Sequence, residues 1–134
     1  MDKTNIAVDF SIMGDYFNQE DISKKLSICP TRYWKKGDFN PKNKMFYKNT
    51  CWSLKTVYEE SLDVNIQLNK IINMLLDKKD ELINLQDKLN LEYGFIIIIR
   101  IEEQQTPAIY FETPVISFIN DIHAEISIDL YLCS

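Results

Sequence analysis

Residues 95–101 read Phe-Ile-Ile-Ile-Ile-Arg-Ile, and residues 124–132 read Ala-Glu-Ile-Ser-Ile-Asp-Leu-Tyr-Leu. The first run is apolar on both faces as far as Arg100, which marks a strand near the centre of a sheet. The second alternates strictly, with Ala124, Ile126, Ile128, Leu130 and Leu132 on one face and Glu125, Ser127, Asp129 and Tyr131 on the other. Alternation with a period of two marks a strand with one buried face. Ile6, Val8, Phe10 and Ile12 repeat the pattern near the N-terminus, ending at Gly14.

Between these strands the periodicity changes. Glu59–Leu91 holds neither proline nor glycine, and Leu62, Ile66, Leu68, Ile71, Ile72, Leu75, Leu82, Ile83, Leu85 and Leu89 recur near helical spacing. The stripe is interrupted at Lys78–Asp80, which predicts two helices rather than one. Asn18 or Asp21 caps a short helix over 19–26, and Pro30 stops it. Thr113-Pro114 reads as a cap followed by proline at the first helical position, before Val115, Ile116, Phe118, Ile119 and Ile122. A long polar loop is expected over 31–44, pinned by Tyr33, Trp34 and Phe39, and a strand over 45–54. A hairpin is expected at 102–107, leading to a strand over 108–112. The fold class is α+β: a two-layer sandwich with helices on one face of a largely antiparallel sheet of about five strands. With 134 residues, the chain is the length of one domain, 1–134.

Composition excludes several classes. Three cysteines, Cys29, Cys51 and Cys133, stand at irregular spacing and form no C-x-x-C pair, so neither a disulfide framework nor a zinc site is expected. No signal peptide is visible, and no apolar run approaches the roughly 20 residues of a membrane span; the expected location is cytoplasmic. The chain has only three glycines, far apart, so no phosphate-binding loop can be drawn. No cofactor or metal is expected. Asp9 and Asp129 would approach if the first and last strands were neighbours, and with His123 they are the residues that could line a catalytic or ligand pocket.

Charge is unevenly distributed. Lys24–Lys55 carries nine cations against one anion, Asp38, a net +8; the chain as a whole is −5, which leaves −13 elsewhere. Such asymmetry steers association electrostatically.

Several short motifs come in a distinctive order: Phe-Ser-Ile-Met-Gly at 10–14, Asp-Ile-Ser-x-x-Leu-x-Ile-x-Pro at 21–30, Trp-Lys-Lys-Gly-Asp at 34–38, Cys-Trp-Ser-Leu at 51–54 and Ile-Asp-Leu-Tyr at 128–131. Together they resemble the bacterial family known as domain of unknown function 4279, over almost the whole chain. That resemblance implies no established activity. Some members look like immunity proteins of toxin competition systems, which implies a non-catalytic module that binds and neutralises another protein, a cognate toxin.

Two surfaces compete for that partner. One is basic and aromatic: Trp34, Lys35, Lys36, Asp38 and Trp52. The other is acidic: Glu59, Glu60, Asp63, Glu102 and Glu103. Aromatic platforms among cations also hold single-stranded nucleic acid, so loop 31–55 supports a nucleotide-binding alternative. The acidic remainder of the chain argues against a long polyanion. A small enzyme or ligand binder is the second alternative. The sequence does not fix the oligomeric state.

Overall fold

The computed structural model describes residues 2–133. A long first strand, β1 (Asn5–Gly14), leads to α1 (Gln19–Leu26), three short strands β2 (Arg32–Trp34), β3 (Phe39–Asn40) and β4 (Met45–Phe46), then β5 (Thr50–Lys55) and β6 (Glu59–Glu60). Two helices follow, α2 (Val64–Leu75) and α3 (Lys79–Leu89), then β7 (Glu92–Glu102), α4 (Thr113–Asp121) and β8 (Glu125–Cys133). The main sheet runs β2-β5-β1-β7-β8, with β6 also on β1. All its pairings are antiparallel except β7 with β8. The α+β sandwich read from the periodicities is therefore the fold.

Register explains which face is covered. Phe10 lies opposite Phe95 and Leu54, Ile12 opposite Tyr93 and Trp52, and Ile6 opposite Ile99. These residues share one face and form the core with Ile22 and Leu26 of α1, Leu68 and Leu75 of α2, Leu82 and Leu85 of α3, and Val115 and Phe118 of α4. The opposite face of β1 is also out of solvent at Ala7 and Asp9, contrary to the expectation of one buried face. β1 has strands on both sides along its length, and Asp9 keeps a partner because its carboxylate accepts from the Ser53 hydroxyl. A buried carboxylate needs such a donor.

Two helices form as expected, but the break precedes the expected Lys78–Asp80: Leu76–Lys78 is a single 3-10 turn between α2 and α3, and Asp80 lies in the first turn of α3. Asn18 caps α1 by accepting from the Glu20 and Asp21 amides, and Ser27 ends that helix in the left-handed conformation. His123 plays the same part after α4, with φ 54°.

Four expectations fail for identifiable reasons. Residues 31–44 are not one loop, because Arg32–Trp34 pairs with β5. Residues 45–54 are not one strand: the Tyr47 amide donates to Asp38 O and Tyr47 O accepts from the Gly37 amide, so the chain turns away before rejoining the sheet at Thr50. Residues 108–112 are not a strand, and 102–107 is not a hairpin. There the Ala108 amide donates to Leu62 O, and buried Asn65 donates to Tyr110 O and accepts from the Glu112 amide. Those bonds tie the segment to the start of α2 rather than to a sheet. No helix among the described residues is long and apolar enough to cross a membrane.

Trp52 is fully buried and its indole N–H donates to Ser23 Oγ at 2.9 Å. Trp52→Ala is expected to lower unfolding free energy by about 3–5 kcal/mol, read as a reduced urea midpoint at unchanged m-value.

Candidate functional site

The segment after β2 folds as a separate finger. The Lys35 amide donates to Asp38 Oδ2 at 3.0 Å and the Asp38 amide to Lys35 O at 3.0 Å, closing a turn around Gly37, whose φ of 93° suits glycine. The Lys36 amide donates to Thr50 Oγ1, whose hydroxyl donates to Asp15 O. Gln19 Nε2 donates to Trp34 O at 2.8 Å. Trp34 stacks on Tyr47 with centroids 4.4 Å apart and rings 17° from parallel, and the Arg32 guanidinium lies 4.8 Å from the Trp34 ring. These contacts hold the base of the finger.

Its tip is the β3–β4 ladder, in which Phe39 lies opposite Phe46 and Asn40 opposite Met45. The loop between them is closed by Asn side chains: the Lys42 amide donates to Asn40 Oδ1 and the Met45 amide to Asn43 Oδ1. The two phenyl rings meet edge to face, with centroids 5.5 Å apart. Both remain in water, with Phe39 52%, Met45 53% and Phe46 66% exposed. Lys42 and Lys44 lie in the loop of this tip, Lys35 and Lys48 nearer its base, and among the described residues none of them forms an ion pair. Lys36 is tied to Asp15 at 3.4 Å and lies over the Tyr16 ring.

The acidic residues gather at the other end of β1. Glu60 lies opposite Asn5, which lies opposite Arg100. Asp2, Lys3, Asn5, Tyr58, Glu60, Arg100 and Glu102 line a shallow cleft there. Thr4 ties the surrounding loops together: its hydroxyl donates to Gln105 O and accepts from the Glu102 amide, and its carbonyl accepts from the Ser61 amide. The Arg100 guanidinium lies 3.6 Å from the centroid of the Tyr58 ring. β1 has ten residues, so the finger and the cleft are separated by roughly 30 Å.

Several residues named from sequence have structural duties instead. Trp52 is in the core and cannot anchor a partner. It does not pack on Trp34 either, because Trp34 pairs with Cys51 and so lies on the opposite face. Phe39 and Tyr33 do not pin the loop; both stand exposed. Asp38 caps the turn. Asp63 caps α2, accepting from the Asn65 amide at 2.9 Å, and that bond holds its carboxyl below the usual range. Glu59 is paired with Lys70, whose hydrogen bond likewise lowers the Glu59 pKa. Glu103 sits in the turn after β7 with φ 49°. Of the acidic set, Glu60 and Glu102 are brought together.

The proposed pocket is not assembled. β7 lies between β1 and β8, and Asp9 pairs with Ile96 while Asp129 pairs with Ile98. The two carboxylates share a face but stand two strands apart, roughly 10 Å across the sheet. His123 is exposed in the turn between α4 and β8. No group of three or more His, Cys, Asp or Glu side chains among the described residues is placed to hold a metal. Burial, followed by the nearby Asp9 charge, pushes the Cys51 thiol up to about 12.

A family model described as Domain of unknown function (DUF4279) matches residues 2–133. No curated protein and no solved structure matches the chain.

Two outcomes are expected from these environments. In native protein at neutral pH, an exposed-thiol reagent modifies Cys29 and spares Cys51, which reacts only after unfolding; peptide mapping of the labelled protein checks this. Asp63→Ala costs about 1 kcal/mol at neutral pH. Because its folded pKa is depressed, the Asp63 contribution is present above the usual carboxylate range and lost as pH falls through the folded value. The gap between wild type and Asp63→Ala therefore closes in acid, as urea titrations at several pH values would show.

Proposed function

The chain belongs to the Domain of unknown function (DUF4279) family, and from that premise we propose that it is a non-catalytic protein-binding module of immunity type, cytoplasmic, which neutralises a partner toxin by docking its β3–β4 finger on an acidic surface of that partner. The observation that carries this reading is the finger tip: Phe39, Met45 and Phe46 exposed together on a braced hairpin whose loop carries the unpaired Lys42 and Lys44. Exposed large apolar side chains grouped in this way mark interaction surfaces. Aromatic side chains at the centre of a contact supply most binding energy, and rim charges supply steering and orientation. The hydrogen bonds at Lys35, Asp38, Asn40 and Asn43 order the finger before it meets a partner, so little further entropy is lost on docking.

The acidic end makes a poorer anchor. Glu59 and Asp63 are committed within the fold, and the cleft that holds Glu60 and Glu102 also holds Lys3 and Arg100, which offset its charge. Nucleic acid would use the same lysines. Its usual stacking platforms are weaker here, because Trp52 is in the core and Trp34 is already stacked on Tyr47.

Tagged protein incubated with nuclease-treated extract of the native host is expected to retain one stoichiometric protein. Co-expression of this chain should then relieve growth inhibition by that protein. Phe46→Ala should weaken the complex about thirtyfold, about 2 kcal/mol, while changing stability by no more than about 0.5 kcal/mol. Lys42→Glu with Lys44→Glu should slow association and flatten its salt dependence. Retention of nucleic acid alone in an untreated parallel sample, with no protein captured, would overturn the proposal in favour of nucleic-acid binding.

A further inference from the structure

The sheet's two edges are built differently. β2, at one edge, has three residues, and shortness is a common protection against unwanted strand pairing. β8, at the other edge, has nine residues, Glu-Ile-Ser-Ile-Asp-Leu-Tyr-Leu-Cys. It contains no proline, lysine or glycine, and no described element pairs with its outer side. Its register with β7 places Ile126, Ile128, Leu130 and Leu132 on the helix-covered face, beside Phe95, Ile97, Ile99 and Ile101. The helices do not reach the end of that row. Ile126 is half-buried, whereas Ile128 is 38%, Leu130 54% and Leu132 84% exposed. A long, apolar, unprotected edge is a template for another strand.

We propose that β8 pairs antiparallel with β8 of a second copy of this chain, about a two-fold axis through Leu130, joining two sheets into one. A two-fold axis normal to the sheet puts the helix-covered faces of both copies on the same side, so apolar rows meet apolar rows. Backbone pairing about such an axis keeps each residue on its own face only when the axis passes through a residue, which leaves few registers. An axis through Asp129 opposes Asp129 to itself, and like charges directly opposite are destabilising. An axis through Ile128 leaves the most exposed side chain, Leu132, opposite Ala124. The axis through Leu130 sets Leu130 on its own copy, Ile128 opposite Leu132, Asp129 opposite Tyr131 and Ser127 opposite Cys133, with no like charges opposed. It covers the apolar row where exposure is greatest. The finger emerges near the β2 edge, so it stays free in this dimer, and loss of partner binding and loss of dimerisation are separable.

Sedimentation equilibrium in reducing buffer, over roughly a hundredfold range of concentration, is expected to show a reversible doubling of mass. Leu130→Lys should weaken dimerisation at least tenfold and leave the circular dichroism spectrum unchanged, since that side chain is exposed in the single chain. The register is tested in a Cys29→Ser background, where Ser127→Cys should form an intermolecular disulfide with native Cys133 on mild oxidation. Directly opposed Cα atoms, about 4.5–5.5 Å apart, suit that bond. The Cys29→Ser parent should not cross-link, because its two Cys133 residues lie roughly 20 Å apart along the paired strands. Monomer mass at every concentration overturns the proposal. So does a dimer that survives Leu130→Lys, or one in which Ser127→Cys adds no cross-link.

Discussion

The nine-residue antiparallel pairing of β1 with β7, Asn5 with Arg100 through Met13 with Glu92, is the constraint on which everything else rests. It alternates core and non-core faces, so one register decides all orientations: a slip by one residue would put Phe10 and Phe95 on opposite faces of the sheet. Phe10 meets Phe95 and Tyr93 with centroids 5.0 and 5.8 Å apart. Tyr93 then ties the helical layer to the sheet, because its hydroxyl donates to Leu82 O at 2.6 Å within α3. A buried phenol without that acceptor would cost about 1–3 kcal/mol, and burial raises its pKa.

The same pairing fixes the molecule's polarity. β1 begins beside Glu60 and Arg100 and ends beside Thr50 and Asp15, against which the finger is tied. A chain that is basic in one segment and acidic elsewhere could fold so that its charges neutralise one another across the surface. Here the length of β1 holds the finger lysines away from the Glu60–Glu102 end. Of the finger's lysines only Lys36 has an ion-pair partner among the described residues.

How much was legible in the sequence follows from which forces act locally. The alternation at 6–12 and the apolar run at 95–101 report burial directly, and the alternation at 124–132 and the interrupted stripe near 78 mark elements that exist close to where the periods put them. Residues 31–54 were misread because their structure is set by side chain-to-backbone bonds from Asp38, Thr50 and Asn40, which leave no periodic trace. Residues 108–112 have strand-like composition, but Asn65, more than forty positions away, takes their backbone groups. The two tryptophans could not be told apart for the same reason: Trp34 and Trp52 are equivalent by type, and only the pleat, which puts them on opposite faces, sends one to the core and the other beneath Arg32. The exposed Phe39–Phe46 pair had one available signal, two aromatic residues flanking an Asn-Pro-Lys-Asn-Lys turn. The loop between them reads as a hairpin connection rich in turn formers.

The parallel β8 strand shows how topology creates a surface that composition conceals. A tight hairpin after β7 would have returned an antiparallel strand, but the 103–112 segment and α4 intervene, and a helical crossover delivers the next strand parallel. α4 buries Val115, Phe118 and Ile119 against the core, and with nine residues it spans about 13 Å, whereas β8 with the same number spans about 30 Å. The helix that brings β8 into place is therefore too short to cover it. Strict alternation in 124–132 encodes a buried face, yet over β8 the helical cover ends near Ile126, while Ile99 and Ile101 on the neighbouring strand stay buried. The mismatch in rise per residue between a helix and the strand it precedes leaves the far half of β8 with an apolar face and no cover from its own chain.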